Sequence, residues 1–157
     1  MSKNKRVNVK PPVRIKFVFS SGEQEVRAAL RELKLGLGPM QLTDDDVDTV
    51  ELVVGEVLNN VVEHAYGQGS SGPIVLVCER DMGVLRFRVR DRGRNLPGLQ
   101  LPDGRRPDVD KPLHELPEGG FGWYLVHSLA FDLKYRRARE SNILNFSIRL
   151  SETEEAK

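Results

Sequence analysis

The 157-residue sequence holds one cysteine, few aromatic residues (6%) and almost no net charge, with 24 Lys and Arg against 23 Asp and Glu. A single cysteine excludes an internal disulfide and any zinc cluster built on cysteines. Cys78 sits in the apolar run Ile74-Val75-Leu76-Val77-Cys78, where a buried strand thiol is expected rather than a reactive one. A formal charge of +1 excludes a dominant polyanion-binding role, though not a local basic patch. No apolar stretch approaches the roughly 18–20 residues of a membrane helix. The N-terminus, with Lys3, Lys5 and Arg6 among polar residues, lacks the apolar centre of a signal peptide. A cytoplasmic protein is expected, with no membrane partner and no direct contact to nucleic acid. Also absent are a Gly-x-x-x-x-Gly-Lys-Ser/Thr loop and a Gly-x-Ser-x-Gly elbow. His64, His114 and His127 lack metal-ligand spacing.

What is present reads as one domain. Residues 1–12, basic and ending in Pro11-Pro12, form an expected flexible leader. Residues 14–19 alternate as a strand with one buried face. Val26, Leu30, Leu33 and Leu37 recur at helical spacing and are closed by Gly36 and Gly38-Pro39. A longer helix follows over 44–66, with Thr43 as cap, Asp44, Asp45 and Asp46 against its dipole, and Gly67 and Gly69 at its end. Strands are expected around 73–80 and 84–90, and again near 131–138 and 143–150, with a helix starting near Gly120. Between 91 and 120 lies a long stretch rich in Gly, Pro and Asp, the kind of connection that serves as a lid or binding loop. Residues 151–157 form an acidic tail. The element order predicts an α/β (α+β) two-layer sandwich, with a mixed, mostly antiparallel sheet and three helices on one face.

Three stretches carry chemistry. On the helix at 44–66, Val47, Val50, Val54, Val57, Leu58, Val61, Val62 and Ala65 project to one side. Glu56, Asn59, Asn60, Glu63 and His64 project to the other. Glu56 and Asn60 are four apart, so a carboxylate and an amide stand one above the other. A solvated helix face would carry similar residues, but adjacent asparagines are poor helix formers in mid-helix. The second stretch is Asp91-Arg92-Gly93, where a strand runs into the loop and glycine permits close approach to a ligand. An ordinary Asp-x-Gly turn has the same composition. The third is Gly119-Gly120-Phe121-Gly122-Trp123, which opens a helix whose amides can meet a phosphate.

Taken in order, these stretches resemble a known family. It is the GHKL or Bergerat ATP-binding fold shared by gyrase, heat-shock-90 chaperones, histidine kinases and mismatch-repair ATPases. Within it the likeness is to the small anti-sigma factor serine/threonine kinases of bacteria, and it extends over about residues 13–150. Gly55-Glu-Val-Leu-Asn-Asn-Val-Val-Glu-His-Ala-Tyr66 resembles their asparagine box, Asp91-Arg-Gly93 their first glycine box and Gly119-Gly-Phe-Gly-Trp-Tyr-Leu-Val126 their second.

The resemblance implies ATP and Mg²⁺ as cofactors, with Asn60 as the metal ligand and Glu56 as general base toward a serine hydroxyl. It implies that Asp91 accepts the adenine amino group beside Gly93, that Gly119, Gly120 and Gly122 hold phosphates, and that His64 lies near the nucleotide. Residues 94–118 would be the ATP lid. It further implies phosphorylation of an anti-sigma antagonist, regulation of a sigma factor by partner switching, and a homodimer with contacts in residues 13–38. There Arg27, Arg31 and Lys34 are read as a solvated face. The sequence departs from the family at Asn95, where relatives place another glycine, and at Glu63 and Glu118. Arg105 or Arg106 would stand in for an arginine that some relatives place where Glu118 is. A non-catalytic protein of the same fold, using ATP as a conformational ligand for sequestration, is the alternative.

Overall fold

In the computed structural model, residues 13–67, 69–106, 110 and 120–152 are described. The alternating residues of the first strand form β1 (Arg14–Ser20). It leads into α1 (Glu23–Leu37), which buries Val26, Ala29, Leu33 and Leu37 and carries Glu23 and Glu25 in its first turn. Gly38-Pro39 closes this helix as expected, and the chain turns there through a 3₁₀ segment, Gly38–Met40. The next helix, α2 (Asp44–Asn60), is capped by Thr43, whose Oγ1 accepts from the Asp46 amide at 3.1 Å.

The remaining elements are β2 (Pro73–Asp81), β3 (Val84–Asp91), α3 (Gly120–Leu129), β4 (Phe131–Ala138) and β5 (Ser141–Arg149). The sheet runs β1-β2-β3-β5-β4, and all four pairings are antiparallel. The expected two-layer sandwich is thus present, with a sheet at the fully antiparallel end of the expected mixed arrangement. The passage from β3 through α3 reaches the far edge before β5 returns to pair beside β3. That return places Asn142 of β5 opposite Asp91 of β3.

One face of the sheet packs under the helices. Leu76, Cys78, Phe87, Val89, Leu144 and Phe146 meet Leu33, Val50, Val54 and Leu58 in a single apolar core. Phe87 and Phe146 stack at 5.1 Å across the central pair. Cys78 is fully buried there, and desolvation, followed by the neighbouring Glu79 charge, pushes its thiol up to about 12. The thiol is inert at neutral pH, as its apolar run predicts.

Two features depart from the periodic pattern. Val53 joins the buried face of α2 although the projected stripe omits it. More important, the helix does not stay α-helical to its end, since Val61–Tyr66 forms a π-helical turn. The wider turn rotates the residues after Asn60 away from their α-helical directions, as single π turns at functional sites often do.

The leader 1–12 and residues 153–157 of the acidic tail lie outside the described residues. Ser151 is no free tail residue: its amide and hydroxyl both donate to Asp46 Oδ1, at 3.0 and 2.9 Å. Burial raises the Asp46 carboxyl pKa, but hydrogen bonds from Ser151 and Thr43 outweigh it and hold the pKa below the ordinary aspartate value. Asp46→Ala removes two charge-assisted hydrogen bonds from the exposed Ser151, so it is expected to lower unfolding free energy by about 2 kcal/mol in urea titrations near neutral pH. A depressed carboxylate stabilises above its unfolded pKa, so the difference should shrink as pH falls below about 4. A variant as stable as the parent at neutral pH would remove Asp46 from this role.

Candidate functional site

The C-terminal end of β3, the end of α2 with its π turn, α3 and the first part of the long loop enclose a cleft of about 480 Å³. Asp91 lies on its floor, 5% exposed. Two donors converge on Oδ1: the Gly93 amide at 2.8 Å and the Asn142 Nδ2 at 2.8 Å. Among the described residues Oδ2 has no hydrogen bond, and no buried side-chain oxygen lacks a partner, so Oδ2 faces accessible space. Burial raises the Asp91 pKa, opposed by the Asn142 and Gly93 hydrogen bonds and by the Arg137 charge. The carboxylate can therefore accept one further donor from inside the cleft.

Gly93 is required for space. An added Cβ would collide with the Ala65 carbonyl of the π turn. The next residue closes the contact, since the Arg94 amide donates to Ala65 O at 2.7 Å. Tyr66 ties the same turn to the sheet: its hydroxyl donates to Pro73 O at 2.7 Å and accepts from the Arg92 amide at 2.9 Å. Thus the Asp-x-Gly turn and the π turn hold each other in place.

At the other end of the helix pair, Glu56 and Asn60 are half-buried rather than on a solvated face. Gly122, in the first turn of α3, lies against them. A Cβ there would fall 2.5 Å from Glu56 Oε2 and 3.8 Å from Asn60 Nδ2. Asn60 Nδ2 donates to Glu56 O at 2.9 Å, and its amide oxygen has no hydrogen bond among the described residues. The carboxylate, the amide oxygen and a helix start are thereby brought together, and Asn60 also lines the cleft that holds Asp91. His64 lines that cleft too, with Nε2 3.8 Å from Glu63 Oε2 on the exposed rim. Gly120 begins α3. Gly119, Glu118 and His114 lie outside the described residues, as do 107–109 and 111–119 of the expected lid. In the described part, Leu96, Pro97, Leu101 and Pro102 wall the cleft. His127 Nε2 is 3.0 Å from Pro102 O, so this segment rests on α3. Arg105 is exposed and paired with Asp103, and Arg106 is exposed.

Residues 19–148 match the histidine kinase-like ATPase domain. The chain belongs to that family. Among curated relatives, a serine-protein kinase RsbW from Bacillus mycoides (strain KBAB4) is 28% identical over 136 residues, spanning 85% of this chain and 79% of that protein. RsbW from Bacillus cereus (strain AH820) is 27% identical over the same spans. Among solved structures, the RsbU and RsbW domains of Rv1364c from Mycobacterium tuberculosis align with a TM-score of 0.61 at 18% identity. That alignment covers 92% of this chain and 34% of the other, a likeness of fold. A blue-light activated histidine kinase from Erythrobacter litoralis aligns with a TM-score of 0.52 at 26% identity, covering 81% of this chain and 40% of the kinase. The chain thus spans well under half the length of either structure.

In this member of the histidine kinase-like ATPases, several site residues escape motif reading. Asn142 is a hub, 4% exposed. Its Nδ2 reaches Asp91 Oδ1, Arg94 O at 2.9 Å and Gly93 O at 3.3 Å. Its Oδ1 accepts from Tyr135 Oη at 2.7 Å and Arg137 Nη1 at 2.8 Å. Tyr135 Oη in turn accepts from the Leu96 amide at 3.0 Å, and Arg137 Nη1 donates to Gly93 O at 2.7 Å. The only sequence signal is a polar residue on the inward face of β5, whose other inward positions are Leu144, Phe146 and Ile148. Truncating this hub leaves Asp91 Oδ1, two carbonyls and two donors short of a partner. Asn142→Ala is therefore expected to cost about 2–3 kcal/mol in chemical denaturation. It should also increase amide exchange at residues 93–96. Unchanged exchange there would show that the loop is held by other contacts.

Proposed function

We propose that this chain is an ATP-dependent serine/threonine protein kinase of the anti-sigma type, with its nucleotide-binding domain over residues 13–150. The observation that carries this is the joining of two features across one cleft. One is a buried aspartate with a free oxygen, and the other is a Glu56–Asn60 pair pressed against the first turn of α3. Kinship with proteins named serine-protein kinase RsbW supports the same activity.

In this proposal Asp91 Oδ2 accepts the adenine amino group while the Gly93 turn lets the base approach. Gly119, Gly120 and Gly122 present the start of α3 to the phosphates, where amides and helix dipole favour anions. His64 borders the nucleotide from the π turn. The Asn60 amide oxygen suits Mg²⁺, a hard cation that takes few protein oxygens and completes its shell with water and substrate phosphates. When bound, the ion would neutralise charge on the transferred group. Glu56 takes the proton from the attacking serine hydroxyl. The serine oxygen bonds to the γ-phosphorus, and the bond from that phosphorus to the bridging oxygen breaks, releasing ADP.

The substrate in this proposal is an anti-sigma antagonist protein, and a sigma factor is the second partner of the switch. Among the described residues no helix is long and apolar enough to cross a membrane, and we place the kinase in the cytoplasm. A homodimer would use residues 13–38, where β1 is an edge strand with an unpaired side.

Calorimetric titration with ADP and a non-hydrolysable ATP analogue tests the site. Mg²⁺-dependent binding should weaken at least roughly tenfold in Asp91→Asn, about 1.4 kcal/mol. A folded parent that binds neither nucleotide would end the kinase proposal. Glu56→Gln should retain ATP binding but lose transfer of labelled phosphate to a cognate antagonist by about 10²-fold or more. Full phosphorylation by this variant would reassign the base.

A further inference from the structure

The outer face of the sheet is covered by no element among the described residues, and it carries an excess of basic side chains. Outward positions carry Arg14, Lys16, Arg86, Arg88, Arg90, Lys134, Arg136 and Arg149, against the carboxylates Glu79, Asp81 and Asp132. A chain of formal charge +1 therefore concentrates a positive excess on one surface. The centre of this field is a row along β3. Arg86, Arg88 and Arg90 stand at successive outward positions, about 7 Å apart.

This row differs from a merely solvated strand. Arg86 has a carboxylate, Asp81 Oδ2 at 3.1 Å, and Arg14 has Glu79 at 3.2 Å. Arg88 and Arg90 have none among the described residues. Each is instead oriented through Nε by a neutral acceptor: Asn145 Oδ1 at 2.9 Å and Ser141 Oγ at 3.0 Å. The outer guanidinium nitrogens are left free to donate. Their strand neighbours are uncharged, Val77 and Asn145 beside Arg88, Val75 and Ile143 beside Arg90. Arg86 and Arg88 themselves line a groove of about 510 Å³, where Val77, Val84 and Phe131 are interleaved with Lys134 and the carboxylates Glu79 and Asp132. Phe131 is 37% exposed and lies under the Arg149 guanidinium at 5.0 Å.

We propose that this face docks an acidic protein segment bearing apolar side chains, with carboxylates on Arg88 and Arg90 and an apolar anchor in the groove beside Phe131. Arginine and an exposed aromatic beside apolar side chains are the composition of protein interfaces. Oriented guanidiniums suit paired carboxylate oxygens. Nucleic acid is disfavoured, because Glu79, Asp81 and Asp132 interrupt the basic field that a continuous phosphate backbone would track, whereas a segment with few, spaced carboxylates can meet Arg88 and Arg90 alone.

The test uses fluorescein-labelled peptides that alternate glutamate with phenylalanine or leucine. Polyglutamate and duplex DNA of equal charge serve as competitors, and Arg80→Glu/Arg139→Glu as a variant of equal charge change off this face. The mixed peptide should bind more tightly than either competitor. Arg88→Glu/Arg90→Glu, and more mildly Arg88→Gln/Arg90→Gln, should weaken it at least roughly tenfold. The off-face variant should not, and binding should decline with salt as exposed charge pairs do. Failure of the mixed peptide to bind, tighter binding of DNA, or equal losses in on-face and off-face variants would overturn the proposal. A dimer dissociated by Arg88→Gln/Arg90→Gln in light scattering would overturn it too, by making a second copy the occupant.

Discussion

A carboxylate buried at the end of a central strand must be held by hydrogen bonds or it loses its charge. Asp91 meets that demand with the Gly93 amide and the Asn142 side chain, while Arg137 adds a favourable charge. Each of these fixes something larger. The Gly93 bond makes the turn that starts the long loop. Asn142 requires β5 to lie beside β3 in one register, and Arg137 and Tyr135 draw in the edge strand β4. Because both donors take the same oxygen, the other stays open to the cleft. The fold thus offsets part of the cost of burying a charged group without exhausting its capacity to bind.

The π turn is the second device. The helix that carries Glu56 and Asn60 ends in a π turn at Val61–Tyr66. Val57, Asn60, Val61, His64 and Ala65 share one wall of the cleft, and the π turn offers the Ala65 carbonyl to the Arg94 amide. Tyr66 then anchors this turn to both β2 and the residue after Asp91. Two segments distant in sequence are locked by a few backbone contacts, and glycine at 93 is what allows them to touch.

Side-chain alternation in an antiparallel sheet allows one strand to serve two surfaces. In β3, Leu85, Phe87, Val89 and Asp91 face the helices, while Arg86, Arg88 and Arg90 face outward. The inward set builds core and cleft floor. The outward set forms the basic row. A single-residue slip of register would exchange them, so the core's apolar demand also fixes where the arginines point.

Much of the architecture was legible without coordinates, because local patterns are strong here. The strand alternations, the Thr43 cap, the buried Cys78 and all eight helices and strands follow from side-chain periodicity and turn chemistry acting over a few residues. So did the order of the Glu56–Asn60, Asp91–Gly93 and Gly120–Gly122 stretches, which identifies the fold family. Three things were decided only by the tertiary structure. The π turn at Val61–Tyr66 met the Gly93–Arg94 turn. Asn142, Tyr135 and Arg137 became site residues through strand register, and Ser151 left the tail to bond Asp46. In each case the partners are far apart in sequence. Hydrogen bonds between distant residues leave no period along the chain, so they exist only once the chain has closed on itself.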